Sequence, residues 1–277
     1  MPILQEHQEN MFYFHHTSDP HPNAARFSMH VHEEYELLYF LSGQARFTVE
    51  TTSYDLIPGA LLLIRPMEYH KLEIIGDAPY ERYGIHFWPS ILEPVDPEGR
   101  LLSLYSQNAL GQGNLYRPEE FCAISPSLLF EAIGRSGRES LRRNILLYLY
   151  PLFGQLGEVC RRRAENTPPD APPHPANPIV DYINRHLFDD LSLQGISERF
   201  FISRSQLNRL FHQATGSSVW DYILLKRLVA ARNAIRQGHT VSKAAMDCGW
   251  KDYSSFYRSY RARFGVSPTA DRIRKLK

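Results

Sequence analysis

Two sets of side chains in this chain have the type and spacing to do chemistry. The first is His30-x-His32, with Glu36 close behind. Side chains two apart on a strand point to one face, so the two imidazoles share a surface. There they can ligate a metal or hydrogen-bond a polar ligand. The second set is a repeat. Leu207, Arg209, Phe211, Gly216 and Ser218 recur 49 residues later as Phe256, Arg258, Tyr260, Gly265 and Ser267. Just upstream the offset is 48, pairing Ser197 with Ala245, Phe201 with Gly249 and Ile202 with Trp250. The copies therefore differ by one residue inserted in the turn.

Each copy has the parts of a helix-turn-helix. A short helix carries a small residue, Ser197 or Ala245, where two helices must approach closely. In the second copy Gly249 can take a positive φ in the turn at no steric cost. The next helix buries Leu207, Leu210 and Phe211, or Phe256 and Tyr260, and shows Ser, Asn, Arg and Tyr on its other face. In a major groove such groups read base edges, with Arg pairing best with guanine. Arg204, Arg227, Arg258, Arg261 and Arg263 can neutralise phosphates, which gives affinity without sequence information. The element between the copies, residues 219–237, spans about 28 Å at ~1.5 Å per residue. That is near the ~34 Å between successive major-groove faces, so one chain can read two groove segments on one side of a duplex.

The charge distribution agrees. Residues 1–177 hold 14 Lys and Arg against 22 Asp and Glu, a net of −8, and residues 178–277 hold 17 against 8, a net of +9. An acidic half joined to a basic half suits only the latter to a polyanion. At 277 residues two domains are expected. No apolar run reaches the ~18 residues of a membrane span, and the N-terminal residues lack the charged and apolar regions of a secretory signal, so a cytoplasmic protein is expected. Cys122, Cys160 and Cys248 have neither metal nor disulfide spacing. No nucleophile elbow, phosphate loop or dinucleotide fingerprint is present. The His-x-His pair is the one enzymatic lead.

These groups need elements to position them. Six prolines among residues 167–178 exclude a helix interior or central strand and favour a semi-rigid spacer. Before it, residues 35–41, 45–50, 61–64 and 80–88 predict short strands, broken at Ser42-Gly43 and Pro58-Gly59, as in a barrel or sandwich. Residues 126–134 and 139–164 predict helices. In the second, Leu141, Ile145, Tyr148, Leu149, Leu152, Leu156 and Val159 form an apolar stripe, either intradomain core or a dimer seam. Pro151 is expected to kink or split it. Past the spacer, helices are expected at 178–187, 193–200, 203–214, 219–237, 241–248, 252–264 and 268–275, with Ser192 and Ser203 as N-caps.

The run Ala245-x-x-Cys-Gly-Trp-x-Asp-x-Ser-Ser-Phe-x-Arg-x-Tyr-x-x-x-Phe-Gly-Val-Ser-Pro, with Ser203-Arg-Ser-Gln-Leu-Asn-Arg-Leu-Phe and Gly216 upstream, resembles the AraC/XylS family of transcriptional regulators over residues 191–272. The resemblance implies base contacts from Ser205, Asn208 and Arg209 in the first reader helix, and from Tyr253, Ser254 and Arg258 in the second. Three positions depart from the family pattern: Phe201 in the turn, Ala244 where a larger aliphatic is usual, and Asp271 where an aromatic is common. In the N-terminal half, His30-x-His32-x-x-x-Glu36-x₆-Gly43 is similar to the first cupin motif, and His70 after Pro66 falls where the second has its histidine. On that resemblance the four could form a three-His, one-carboxylate site for a divalent metal. The alternatives are polar lining of an effector pocket or structural hydrogen bonding. Tyr35, Tyr39, Phe47, Tyr83, His86, Phe87 and Trp88 could line a ligand pocket or form ordinary core.

The expected fold is an α+β multidomain chain. A cupin-like jelly-roll β-barrel that senses an effector occupies 1–125, with a helical extension, a possible dimer interface, at 126–166. A Pro-rich linker at 167–177 leads to an all-α double helix-turn-helix domain at 178–277. The expected function is a transcriptional regulator, not an enzyme, controlled by a small-molecule effector such as a sugar or other metabolite. Its partners would be a double-stranded DNA operator, a second copy in a homodimer and, for an activator, RNA polymerase. DNA contacts are expected from Ser205, Asn208, Arg209, Tyr253, Ser254, Arg258, Arg204 and Arg261. Effector contacts are expected from His30, His32, Glu36, Tyr39, His70 and His86. No cofactor is required; a divalent metal at His30, His32, Glu36 and His70 stays open. The rival readings are a metal-dependent cupin enzyme with a DNA-binding appendage and a helical scaffold for proteins.

Overall fold

The computed structural model describes residues 2–22, 29–106, 108–166 and 174–274. Most of the Pro-rich linker, residues 167–173, lies outside them. The chain forms two compact units: residues 1–30 with 34–173, and residues 174–277, which also take in 31–33.

The first unit is built on nine strands: β1 (Ile3–Gln8), β2 (Phe12–Asp19), β3 (Tyr35–Ser42), β4 (Ala45–Val49), β5 (Thr52–Asp55), β6 (Leu61–Ile64), β7 (His70–Ile74), β8 (Tyr80–Phe87) and β9 (Leu115–Tyr116). They form two antiparallel sheets, in the orders β1-β2-β8-β3-β6-β9 and β5-β4-β7. β1 and β2 precede the first strand expected from the sequence. Among the described residues three α-helices accompany them: α1 (Arg100–Tyr105) between β8 and β9, then α2 (Pro126–Gly134) and α3 (Arg138–Asn166).

Alternation along the strands decides what each face meets. Phe12 and Phe14 of β2, Tyr35, Leu37 and Tyr39 of β3, and Tyr83, Ile85 and Phe87 of β8 pack with α2 and α3. The other face turns to the second sheet, where Leu38, Phe40, Leu62 and Ile64 meet Phe47, Val49 and Leu72. The stripe on α3 lies in this unit's own core. Pro151 does not divide α3, which runs for 29 residues. The carbonyl that Pro151 leaves without its i+4 donor belongs to Leu147, on the exposed side of α3.

The second unit is helical: α4 (Asn177–Arg185), α5 (Leu193–Arg199), α6 (Arg204–Thr215), α7 (Val219–Arg236), α8 (Val241–Asp247), α9 (Tyr253–Phe264) and α10 (Pro268–Arg274). The caps are written in the sequence. Ser192 Oγ accepts from Gly195 N, and Ser203 and Gln206 form a reciprocal capping box. Asp252 caps α9, and Gly216 and Gly265 end α6 and α9 with φ of 73° and 70°.

Asp271 closes this unit. Its carboxylate, 1% exposed, accepts from Arg232 Nε at 2.7 Å, Tyr260 Oη at 2.8 Å and Arg236 Nη2 at 3.1 Å. It ties α10 to α7 and α9, where the family commonly places an aromatic. Burial alone would raise its pKa; the bonds from Arg232, Tyr260 and Arg236 outweigh that and hold it below the usual carboxylate value. A carboxylate with a depressed folded pKa adds stability above its unfolded pKa of ~3.9 and loses it as pH falls through the folded value. We expect Asp271→Ala to cost about 2–4 kcal/mol in urea unfolding at pH 7, and the deficit to shrink as the pH is lowered towards 3. An equal deficit at both pH values would refute this charge-based account.

Candidate functional site

In α6, Leu207, Phe211 and Ala214 face inward. The helical period then leaves Ser205 and Arg209 exposed and Asn208 half-buried. In α9, Phe256 and Tyr260 are buried, while Tyr253, Ser254 and Arg258 are exposed. Arg204, Arg261 and Arg263 are also exposed, although Arg204 Nη2 donates to Gln194 Oε1 of α5 at 2.7 Å.

Both reader helices are set by the same turn. Ile202 N donates to Ser197 O, and Trp250 N donates to Ala245 O, each at 3.1 Å. Phe201 and Gly249 sit at the matching positions with φ of 54° and 80°. Ser197 and Ala245 are buried, as close helix approach requires.

Arg227 corrects the sequence reading that gave it to a phosphate. It is 7% exposed. Its guanidinium donates to the carbonyls of Leu187, Gly249 and Asp189 at 2.7, 2.9 and 2.6 Å, and burial lowers its pKa. It holds the second turn from behind. Gly249 is required there twice over: for its φ, and because a Cβ would lie 2.8 Å from Phe188 O and 2.9 Å from Arg227 Cζ. Phe201 meets no such crowding; it is 96% exposed.

Three of the expected sensor residues, His30, Glu36 and His70, come together in the first unit, and His32 belongs to the 31–33 segment. Ligand atoms of His30, His32, Glu36 and His70 all lie within 4.8 Å of one another. His30 and His70 form a two-way backbone bridge, each N donating to the other's O at 2.9 Å. His70 Nδ1 pairs with Glu68 O at 2.7 Å. Such a bond orients the ring and leaves Nε2 as the ligating nitrogen, 3.5 Å from Glu36 Oε2. Three imidazoles and one carboxylate suit a divalent transition ion.

His86 joins this face, paired across the strands with Glu36 and lying 4.0 Å from its Oε1. Tyr39 does not. Three residues after Glu36, it points to the opposite face of β3 and stacks on Phe130 at 4.7 Å. Two residues that sequence reasoning passed over complete the group. Arg82 Nη1 is 3.7 Å from Glu36 Oε1. His15 stacks beside His86 at 5.9 Å. Its ring lies against Gly84, where a Cβ would come within 2.2 Å of it. Burial, then Arg82 and His86, depress the His15 pKa to about 3, so it is neutral at pH 7. The overlooked signal is in residues 12–19, where Phe12 and Phe14 alternate with Tyr13, His15 and Thr17: a strand with one polar face.

With this geometry in place, comparisons assign both units. Residues 17–148 match the AraC-like ligand binding domain, and residues 196–274 match a helix-turn-helix domain. The chain belongs to the AraC family of transcriptional regulators. The probable transcriptional regulator LumQ of Photobacterium leiognathi is 25% identical to it, over 87% of this chain and 90% of that one. The transcriptional activator RhaR of Mannheimia succiniciproducens is 22% identical over 86% and 96%. A crystal structure of unsaturated fatty acid-bound ToxT from Vibrio cholerae covers 97% of each chain at 11% identity, with a TM-score of 0.44. This AraC-family chain is thus a DNA-binding regulator with an N-terminal ligand-binding domain. No helix among its described residues is long and apolar enough to cross a membrane.

The two turns generate a prediction. A non-glycine residue in the left-handed region costs ~1–2 kcal/mol, and Phe201 has no packing to offset it. Phe201→Gly should raise the stability of the full chain by about 1 kcal/mol in urea titration. The matching Gly249→Ala should destabilise it by more than that. Unchanged stability in both variants would show that the turns are not strained as described.

Proposed function

We propose that this AraC-family regulator reads its operator with Ser205, Asn208 and Arg209 of α6 and with Tyr253, Ser254 and Arg258 of α9. Arg204 and Arg261 contact phosphates. The observation that carries this reading is the duplicated turn, which presents an exposed arginine on each reader helix. The 18 residues of α7 span about 27 Å, close to the separation of successive major-groove faces. The domain scheme that goes with it is sensor at 1–125, helical extension at 126–166, linker at 167–177 and DNA-binding domain at 178–277. The protein acts in the cytoplasm as a homodimer. As an activator, the role named for RhaR, it would contact RNA polymerase.

We assign a divalent cation to His30, Glu36 and His70 of the sensor unit, with His32 of the 31–33 segment as fourth ligand, supported by the convergence of their ligand atoms. The ion serves ligand recognition. No catalysis is proposed, because the relatives are regulators.

Selection of bound DNA from a random pool with the full chain should return a two-part motif, its elements about one helical turn apart. Arg209→Ala should weaken binding by ~1–3 kcal/mol and relax preference at one base pair, whereas Arg261→Ala should weaken all sequences alike and reduce the salt slope by about one. Uniform weakening by Arg209→Ala would remove its base-reading role. For the cation, Co²⁺ should bind the chelator-treated protein at one per chain and raise its Tm, and His70→Ala should lose both effects. A wild-type protein with no Co²⁺ response would end the metal assignment.

A further inference from the structure

Glu36 stands between the histidine cluster and a guanidinium. Its Oε2 faces His70 within the ligand cluster, and its Oε1 faces Arg82 at 3.7 Å and His86 at 4.0 Å. A divalent ion on the first side would leave this one carboxylate shared between a dication and a guanidinium. The three imidazoles ligate as neutral groups and add no negative charge. Asp19, the next buried carboxylate along β2, pairs across the strands with Tyr80, two positions beyond Arg82 on β8. Four protein ligands also leave about two positions of an octahedral ion open.

Two polar groups on the same sheet face as Glu36 lack partners. His15 is 6% exposed, and its Nδ1 has no hydrogen-bond partner among the described residues. Arg82 Nε is likewise buried and without one. Buried polar groups left this way are costly, and a ligand that brings anionic oxygens satisfies them and balances the charge.

We propose that the effector is a small organic acid that chelates the bound metal through its carboxylate and an adjacent oxygen, as 2-oxo and 2-hydroxy acids do. Its carboxylate also pairs with Arg82 and His15. This rests on the cation assignment above. A monocarboxylate without the second oxygen fills only one open position and binds weakly.

The test uses full-length protein loaded with Co²⁺, with pyruvate as the bidentate probe and acetate as the monodentate control. The readouts are the visible d–d absorption of Co²⁺ and the thermal unfolding midpoint. Pyruvate should change the spectrum and raise Tm, acetate should do neither, and metal-free protein should not respond. Arg82→Gln and, separately, His15→Asn should keep the Co²⁺ spectrum yet need about ten-fold more pyruvate or higher. The His15 variant carries the test if the Arg82 variant does not fold. If the Co²⁺ protein ignores pyruvate, the acid inference fails while the cation assignment stands. If metal-free protein responds equally, chelation is refuted. If Co²⁺ gives no d–d spectrum in wild-type protein, the cation assignment itself falls and this inference with it.

Discussion

A strand in the middle of a sandwich has two faces to bury, and β3 and β8 bury both. One face is apolar through Tyr35, Leu37, Tyr39, Tyr83, Ile85 and Phe87, and seals against α2 and α3, with Glu81 and His16 paired at its end. The other is apolar only in part. Leu38 and Phe40 continue the core between the sheets, but Glu36, Arg82 and His86 stand on the same surface. A carboxylate there must be paired or ligated, since an isolated buried charge is prohibitively costly. Glu36 is met by His70, Arg82 and His86. This polar interruption of an otherwise dry core lies within the AraC-like ligand binding domain.

The DNA-binding unit uses buried charge differently. Arg227 and Asp271 are both enclosed, and both spend their hydrogen bonds internally: Arg227 on three carbonyls, Asp271 on two arginines and a tyrosine. They act as bolts, one behind the second turn and one across α7, α9 and α10. Arg209, Arg258, Arg261 and Arg263 remain outside. The positive charge of this half is therefore divided between buried braces and an exposed surface, and residue type alone does not say which arginine belongs to which.

Much of the second unit was legible because its rules are local. Caps act within three or four residues, the inward stripe repeats every three or four, and the duplicated spacing names the turn. The helices lie within two residues of their expected bounds. The sensor unit was less legible. Residues 12–19 mix aromatic and polar groups and break their alternation at His15-His16, so β2 was missed. Tyr39 was expected among the effector contacts, although its odd spacing from Glu36 puts it on the other face of β3. Pro151 looked like a break, yet packing on both sides of it holds α3 together.

The amino-acid order by itself determined the two-part organisation, the double helix-turn-helix and the His-x-His pair, because each is written in composition or spacing along the chain. Only the tertiary structure decided that His15 and Arg82 stand beside Glu36, that Arg227 is a brace and that Asp271 is a buried anchor. Those facts depend on which strands and helices become neighbours. Pairing between residues tens of positions apart is chosen by the burial of whole faces, a property no single stretch of chain possesses.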